Sequence, residues 1–352
     1  MMKKNNLYVD IHVLQNVPPS CINRDDTGSP KTAKYGGVIR ARVSSQSWKH
    51  EMRKMFGESF SAEKIGIRTK KVPQMIAEEI KERDKSIDDE TALKLAAKVL
   101  ENAGIKTDKD NKTSVLMFFS MAQAQALAEL AVNECKDKKE YQRALNAGPS
   151  VDMALFGRMV AADATLNFDA AAQVAHAIST HAVHNEYDYF TAVDDLIRED
   201  ESGAGHLGTV EFNSSTLYRY ATVNVNELQK SLVELEFTAD AIQAFIETFI
   251  KSMPTGKQNT FANRTVPDFV YITLRTDQPI NLCGAFEKPV SGKDGGYLEA
   301  SERALIEYYQ KIYTNFACAP ERSWTFDDGA LPQILHDLKT VIKEKLSESE
   351  GK

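Results

Sequence analysis

Between residues 7 and 14 the chain runs LYVDIHVL, and its apolar residues fall on every second position. Leu7, Val9, Ile11 and Val13 alternate with Tyr8, Asp10 and His12. A period of two is the mark of a strand, here expected to be half-buried. The alternation returns after Glu211, where Leu217, Ala221, Val223 and Val225 oppose Tyr218 and Tyr220, and again over residues 266–274. Between these strands the period lengthens. Residues 45–56 place Trp48, Met52, Met55 and Phe56 at i, i+4, i+7 and i+8, the apolar face of a helix. Residues 58–148 are helical in pattern, rich in lysine and glutamate, with an alanine-rich helix at 120–135, and Gly148-Pro149 ends them. Further helices are expected at 170–181, 226–253, 298–313 and 331–346. Strands and helices mixed in this way give an α+β sheet domain backed by helices, with a helical insertion. A chain of 352 residues has room for one.

Several function classes fall away. The net charge of −7 argues against a protein that coats nucleic acid indiscriminately, although a local basic groove remains compatible with it. No apolar run approaches the roughly 20 residues of a membrane span, and MMKKNNLYVD lacks the apolar core of a secretory signal. The expected location is cytoplasmic. Cys21, Cys135, Cys283 and Cys318 are scattered and form no CxxC pair, so neither a disulfide framework nor a cysteine zinc site is expected. His176, His181, His184 and His206, with Asp194 and Asp195, raise the question of a metal. They match no HExxH and no two-histidine–carboxylate pattern, and hydrogen-bonding roles are expected instead. There is no GxSxG, and the scattered glycines from Gly203 to Gly208 lack a dinucleotide-site context. No catalytic residue, metal or cofactor is therefore assigned. The competing reading is a metal-dependent phosphohydrolase or ribonuclease built on His181, His184, His206 and Asp194. A third is a structural protein that assembles without nucleic acid.

One segment departs from the acidic background. Residues 31–56 carry Lys31, Lys34, Arg40, Arg42, Lys49, Arg53 and Lys54 against the single acid Glu51. Arg40 and Arg42, two apart on a strand, are expected on one face, with Ile39, Ala41 and Val43 opposite. Lys49 and Arg53, four apart, share a helical face. Between them Ser44-Ser45-Gln46-Ser47 opens the helix, where hydroxyls and unpaired backbone N–H groups attract anions. The pattern suits a phosphate backbone, or else a solvated basic face that pairs with acids elsewhere in the chain. Lys257 and Lys288 sit in short loops, as plain surface turns or as added phosphate contacts. Residues 186–208 form a long loop or hairpin whose Tyr187, Tyr189 and Phe190 would stack on bases or anchor it to protein.

Beyond these patterns, ordered blocks resemble one known family. They include Ile11-His12-Val13-Leu14, the run from Ser20 to Asp26, Tyr35-Gly36-Gly37 and the run from Arg42 to Lys49. They continue through the run from Val151 to Met159, the runs from Ala175 to His181 and from Phe190 to Leu196, His206-Leu207-Gly208-Thr209, Gly256-Lys257-Gln258 and Ala285-Phe286-Glu287-Lys288. The family is the CasC-type backbone subunit of the type I-E CRISPR Cascade complex, within the repeat-associated RNA-binding superfamily. The resemblance implies an RRM-like (ferredoxin-like) palm sheet at 1–57 and 213–352. It implies helical fingers at 58–148, a connection at 149–185 and a thumb loop at 186–212. It implies a non-catalytic subunit, six copies lined up along a guide RNA that pairs with target DNA, beside other Cascade subunits. By position, Lys31, Ser44, Gln46, Lys49 and Arg53 would grip guide phosphates, with Lys257 and Lys288 as additions. Met159, Phe190 and Thr191 would meet the RNA where the thumb pushes out a base.

Overall fold

A computed structural model describes residues 6–160, 164–192, 206–292 and 295–350. In chain order its elements begin with β1 (Tyr8–Ser20), β2 (Thr32–Tyr35), β3 (Val38–Val43), α1 (Ser45–Ser59), β4 (Ile67–Thr69), α2 (Val72–Arg83) and α3 (Asp89–Asn102). There follow β5 (Met117–Phe119), α4 (Met121–Val132), α5 (Lys138–Asn146), α6 (Val151–Phe156), β6 (Ala172–Val174), β7 (Ala177–Ser179), β8 (Glu186–Ala192) and β9 (His206–Asn224). The chain ends with α7 (Val225–Leu232), α8 (Leu235–Lys251), α9 (Gln258–Phe261), β10 (Phe269–Arg275), α10 (Leu298–Asn315), β11 (Arg322–Thr325) and α11 (Leu331–Glu350). The class is α+β, as expected. No helix among the described residues is long and apolar enough to cross a membrane. The chain divides into two compact units. One holds Met1–Met52, Val174–Thr222 and Ile246–Leu335, the other Arg53–Gln173, Val223–Phe245 and His336–Lys352. The expected second palm segment, 213–352, is thus shared between them.

The first unit is built on a sheet ordered β11-β10-β1-β9-β7-β3-β2. The β1–β10, β10–β11, β3–β7, β7–β9 and β2–β3 ladders are antiparallel. β1 lies between β10 and β9, and both of its faces are buried. The alternation seen in its sequence is real, but the polar side does not meet water. Asp10 accepts hydrogen bonds from the Ile280 N–H at 2.9 Å and the Tyr220 hydroxyl at 3.1 Å. His12 bonds the Tyr218 hydroxyl at 2.9 Å and stacks among Tyr218, Tyr220 and Tyr271. This face is a second core, closed by Leu282, Phe286 and Leu305. Asp10 and His12 are each matched in this way, which is what makes their burial tolerable. Burial pushes the Asp10 carboxyl up to about 6 and the His12 imidazole down to about 3.

Residues 170–181 are not the expected helix. They form β6 and β7 on either side of His176. Alanine is the best helix former, but propensity is a weak force against tertiary pairing, and ladders on both flanks override it: Val43 faces Ala177, and Ile178 faces both Arg42 and Tyr218.

The second unit packs helices around Ile76, Ile80, Ala96, Leu100, Phe119, Leu127 and Leu145. Small residues on α4 (Ala124, Ala128) are fully buried there. A capping box starts α4, with Ser120 accepting from the Gln123 N–H and the Gln123 side chain accepting from the Ser120 N–H. The helix expected at 226–253 is broken in two at Val233, whose φ is 66°. In this unit Lys339 reaches Asp240 at 2.6 Å and Glu236 at 2.9 Å, tying α11 to α8.

Candidate nucleic-acid interface

In the first unit, β3 carries the chain straight into the start of α1. The cap is built by Ser44. Its carbonyl accepts from the Ser47 N–H at 3.0 Å, and its hydroxyl lies 3.4 Å from the same group. Asn23 holds Ser44 in place, because its side-chain oxygen accepts the Ser44 N–H at 2.9 Å. The Asn23 carbonyl accepts the Lys31 N–H at 2.8 Å, so one residue links both sides of the site. Trp48 and Met52 are buried, and the Arg219 guanidinium lies 3.8 Å over the Trp48 ring. With those residues inward, Gln46 is exposed and Lys49 half-exposed one turn along.

Arg42 is half-buried. It spends its Nε on the Thr32 carbonyl at 3.0 Å and brings a terminal nitrogen to 3.5 Å from His176 Nδ1. That same Nδ1 accepts the Ser45 N–H at 3.3 Å, so the ring proton sits on Nε2. Burial, then the charges of Arg42 and Lys31, hold the His176 pKa below its ordinary value and keep the ring neutral. A cavity of about 20 Å³ lies between Asn23, Lys31, Arg42, Asn213 and Ser215. It has room for one water, so a phosphate would rest on the surface above it. Lys257 belongs to the same neighbourhood. Burial pushes the Cys21 thiol up, and Arg24 and Lys257 pull against it. Gly256 allows the approach, since a Cβ there would stand 2.3 Å from the Ile22 carbonyl oxygen.

Two expected cations are corrected. Arg40 is fully buried. It donates to the carbonyls of Tyr35 at 3.1 Å, Ser179 at 3.0 Å and Phe286 at 2.8 Å, and none of these donors reaches solvent. Its strand neighbour Ile39 is the exposed one, so the expected alternation fails at positions 39 and 40, while Ala41 and Val43 are buried and Arg42 is part-exposed as expected. Arg53, in the second unit, donates to buried Asp152 at 2.8 Å and to the Gly66 carbonyl at 3.1 Å. Asp152 also accepts the Gly66 N–H at 2.8 Å. Arg53 neutralises a buried carboxylate inside its own unit, so its charge is largely spent within the protein.

Lys288 is exposed but stands elsewhere in the first unit. Its neighbour Glu287 packs on the β2–β3 turn, where a Cβ on Gly36 would lie 1.6 Å from the Glu287 carbonyl oxygen. That turn is about 13 Å of strand from Arg42.

The stretch from residue 186 is a hairpin arm, with β8 paired to β9 from Glu186↔Phe212 to Ala192↔His206. Tyr187, Tyr189 and Phe190 are exposed, and Thr191 follows them on the strand. Phe190 is not wholly available, because its ring covers Gly208 across the ladder. Met159 belongs to the second unit, at a cleft of about 560 Å³ lined by Arg68, Leu116, Phe118, Phe156 and Phe168. It is 86% exposed. Its neighbour Arg158 is buried and donates to the Leu166 and Leu145 carbonyls at 2.8 and 3.0 Å.

The metal reading loses its main ligand. His181 Nδ1 donates to the Ala182 carbonyl at 2.9 Å, its Nε2 accepts the Thr216 N–H at 3.1 Å, and Tyr297 stacks on the ring. His184 is exposed. Asp194, Asp195, residues 203–205 and the His206 side chain lie outside the described residues. Among the described residues no three potential ligands converge.

The family model described as CT1975-like protein matches residues 9–348. The chain belongs to this family. Two solved structures are similar to the CT1975-like chain. One, from a "CRISPR RNA-guided surveillance complex, pre-nicking", is 34% identical, covers 90% of each chain and has a TM-score of 0.73. The other, from a "CRISPR RNA-guided surveillance complex", is 28% identical, covers 95% of this chain and 99% of that one, and has a TM-score of 0.61. No curated protein matches.

In the CT1975-like chain, Lys31, Arg42, Ser44, Gln46 and Lys49 come together around the α1 start, and Lys257 lies beside the Cys21–Ile22 segment that leads to Asn23. Asn23 and His176 also belong to the site, and charge counting does not find them. Asn23 acts through a bond 21 residues away in sequence, a separation no local pattern encodes.

Proposed function

We propose that this protein is a non-catalytic backbone subunit of a CRISPR RNA-guided surveillance complex of type I-E, gripping the phosphates of the guide RNA. The observation that carries this reading is the start of α1. There Lys31, Arg42 and Lys49 surround a capped helix N-terminus in a chain whose net charge is −7. Lysine and arginine side chains bind phosphate without reading bases. That suits a subunit whose guide, through base pairing, supplies the sequence recognition. Similarity to chains of two surveillance complexes supports the same reading. In it, six copies line the guide, target DNA pairs with that guide, and other Cascade subunits complete the particle. A heterologous contact that does not close generates such a row. Met159, Phe190 and Thr191 supply contacts at the displaced base, and Lys257 and Lys288 are additional phosphate contacts.

The test is RNA retention. The protein is purified with its genomic neighbours and the bound RNA is quantified per subunit. Lys31→Glu with Lys49→Glu is expected to lower retained RNA at least tenfold and to make its loss begin at lower salt. A double variant that holds as much RNA as the unaltered protein overturns the assignment.

A further inference from the structure

Residues 106–114 of the second unit contain no apolar side chain: Lys106-Thr107-Asp108-Lys109-Asp110-Asn111-Lys112-Thr113-Ser114. The segment is nonetheless well pinned. Thr107 bridges Thr113, the Ser114 N–H donates to the Lys106 carbonyl at 3.1 Å, and the Asp108 N–H to the Lys112 carbonyl at 2.8 Å. Asn111 makes the turn with φ at 52°. The turn is tied in addition to the approach to α2. The Thr113 N–H donates to the Lys70 carbonyl at 2.8 Å, and the Gln74 side chain to the Asn111 carbonyl at 3.2 Å. Five lysines therefore stand on adjoining backbone: Lys70, Lys71, Lys106, Lys109 and Lys112. All but the half-buried Lys112 are exposed.

Asp108 and Asp110 offset part of this charge and leave a formal balance of five lysines against two acids. Asp108 spends one carboxylate oxygen on the backbone N–H groups of Asp110 and Lys112, each at 2.9 Å. Asp110 lies 3.7 Å from Lys112. Among the described residues, Lys70, Lys71, Lys106 and Lys109 form no ion pair. Their placement also works against the local helix. Lys71 is the N-cap of α2, whose first turn has no acid, whereas α3 opens with Asp88, Asp89 and Glu90. Cations at the positive end of a helix repel it, and an anion docked there would relieve that repulsion.

We propose that these five lysines form a second polyphosphate-binding surface, made of residues other than those at the α1 start, that takes a nucleic-acid backbone. Lysine is a compact point charge that suits phosphate without fixing a base. Lysine is depleted from the cores of protein–protein interfaces, which need apolar anchors, and neither residues 106–114 nor Lys70-Lys71 offer one. A pinned loop also loses little freedom when it binds.

The experiment uses the protein as purified, with whatever RNA it carries. Labelled DNA of about 20 nucleotides, as duplex and as single strand, is titrated by anisotropy at about 50 and 200 mM salt. The variant is Lys70→Gln, Lys71→Gln, Lys106→Gln. It is expected to bind at least one DNA form about tenfold more weakly, with a salt slope shallower by about 2 to 3. The form affected identifies the ligand as strand or duplex. Co-purified RNA and the circular dichroism spectrum should be unchanged, which separates this outcome from misfolding and from loss of the guide site. The proposal is overturned if affinity and slope match the unaltered protein, if neither DNA form binds, if RNA content falls in parallel, or if polyglutamate competes as well as DNA.

Discussion

Asp152 is wholly buried, and Arg53 is the cation that balances it. Removing one partner of such a pair strands the other charge in a poorly polarisable interior, typically at about 3–5 kcal/mol. Arg53→Gln is therefore expected to lower the urea midpoint of unfolding sharply, and adding Asp152→Asn should restore part of the loss. If Arg53→Gln unfolds like the unaltered protein and only sheds RNA, the pairing is not what the residue does. Lysines and serines at the α1 start are legible in the sequence because charge density and N-cap chemistry are local properties. Arg40 and Arg53 are not. Their spacing matches that of surface cations, and only the fold reveals Ser179, Phe286 and Asp152 waiting for them. His181 has the hydrogen-bonding role expected of it, although its partners, the Ala182 carbonyl and the Thr216 N–H, appear only in the fold.

Among elements, the two-residue period identified β1 and the 3.6-residue period identified α1, α4, α10 and α11 within a few residues. It failed where the pattern was continuous but the backbone was not. Residues 226–253 have an apolar face throughout, yet α7 stops at Leu232 and α8 begins at Leu235. The break is held by Val233 at φ 66°, a conformation that a β-branched residue adopts only under strain. Val233 is also among the exposed apolar residues, so its side chain gives little back. Val233→Gly is expected to raise the unfolding midpoint by about 1 kcal/mol equivalent. A drop in stability would mean that the valine makes a contact worth more than the backbone strain. The misassigned helix at 170–181 has the opposite origin, since neighbours in space, absent from any short window, supply the ladders that make it β.

For the molecule as a whole, the buried face of β1 shapes stability against pH. His12 has its pKa depressed to about 3, so below pH 6.5 the unfolded chain binds a proton that the fold refuses. Its contribution is complete above pH 6.5 and is lost as pH falls toward 3, at about 1.4 kcal/mol per unit. Asp10 has its pKa raised to about 6, so the fold holds that proton between about 6 and 3.8 while the unfolded chain does not. Its contribution therefore grows as pH falls through that window. The two slopes oppose each other across roughly pH 6 to 4. His12→Gln should unmask Asp10: relative to the unaltered protein, the variant's urea midpoint should rise steadily from pH 6.5 to 4.5. Parallel curves would show that His12 titrates normally in the fold.

The contact between the β2–β3 turn and Glu287 has a mechanical corollary. Because Gly36 leaves no slack against that carbonyl, the hairpin is clamped at its tip as well as at its base, where Lys31 is bonded to Asn23 and Arg42 pairs with β7. Adding even one methyl group at the tip would set that clamp against the one at the base, and the strain would be carried along the strands toward residues the substitution never touches.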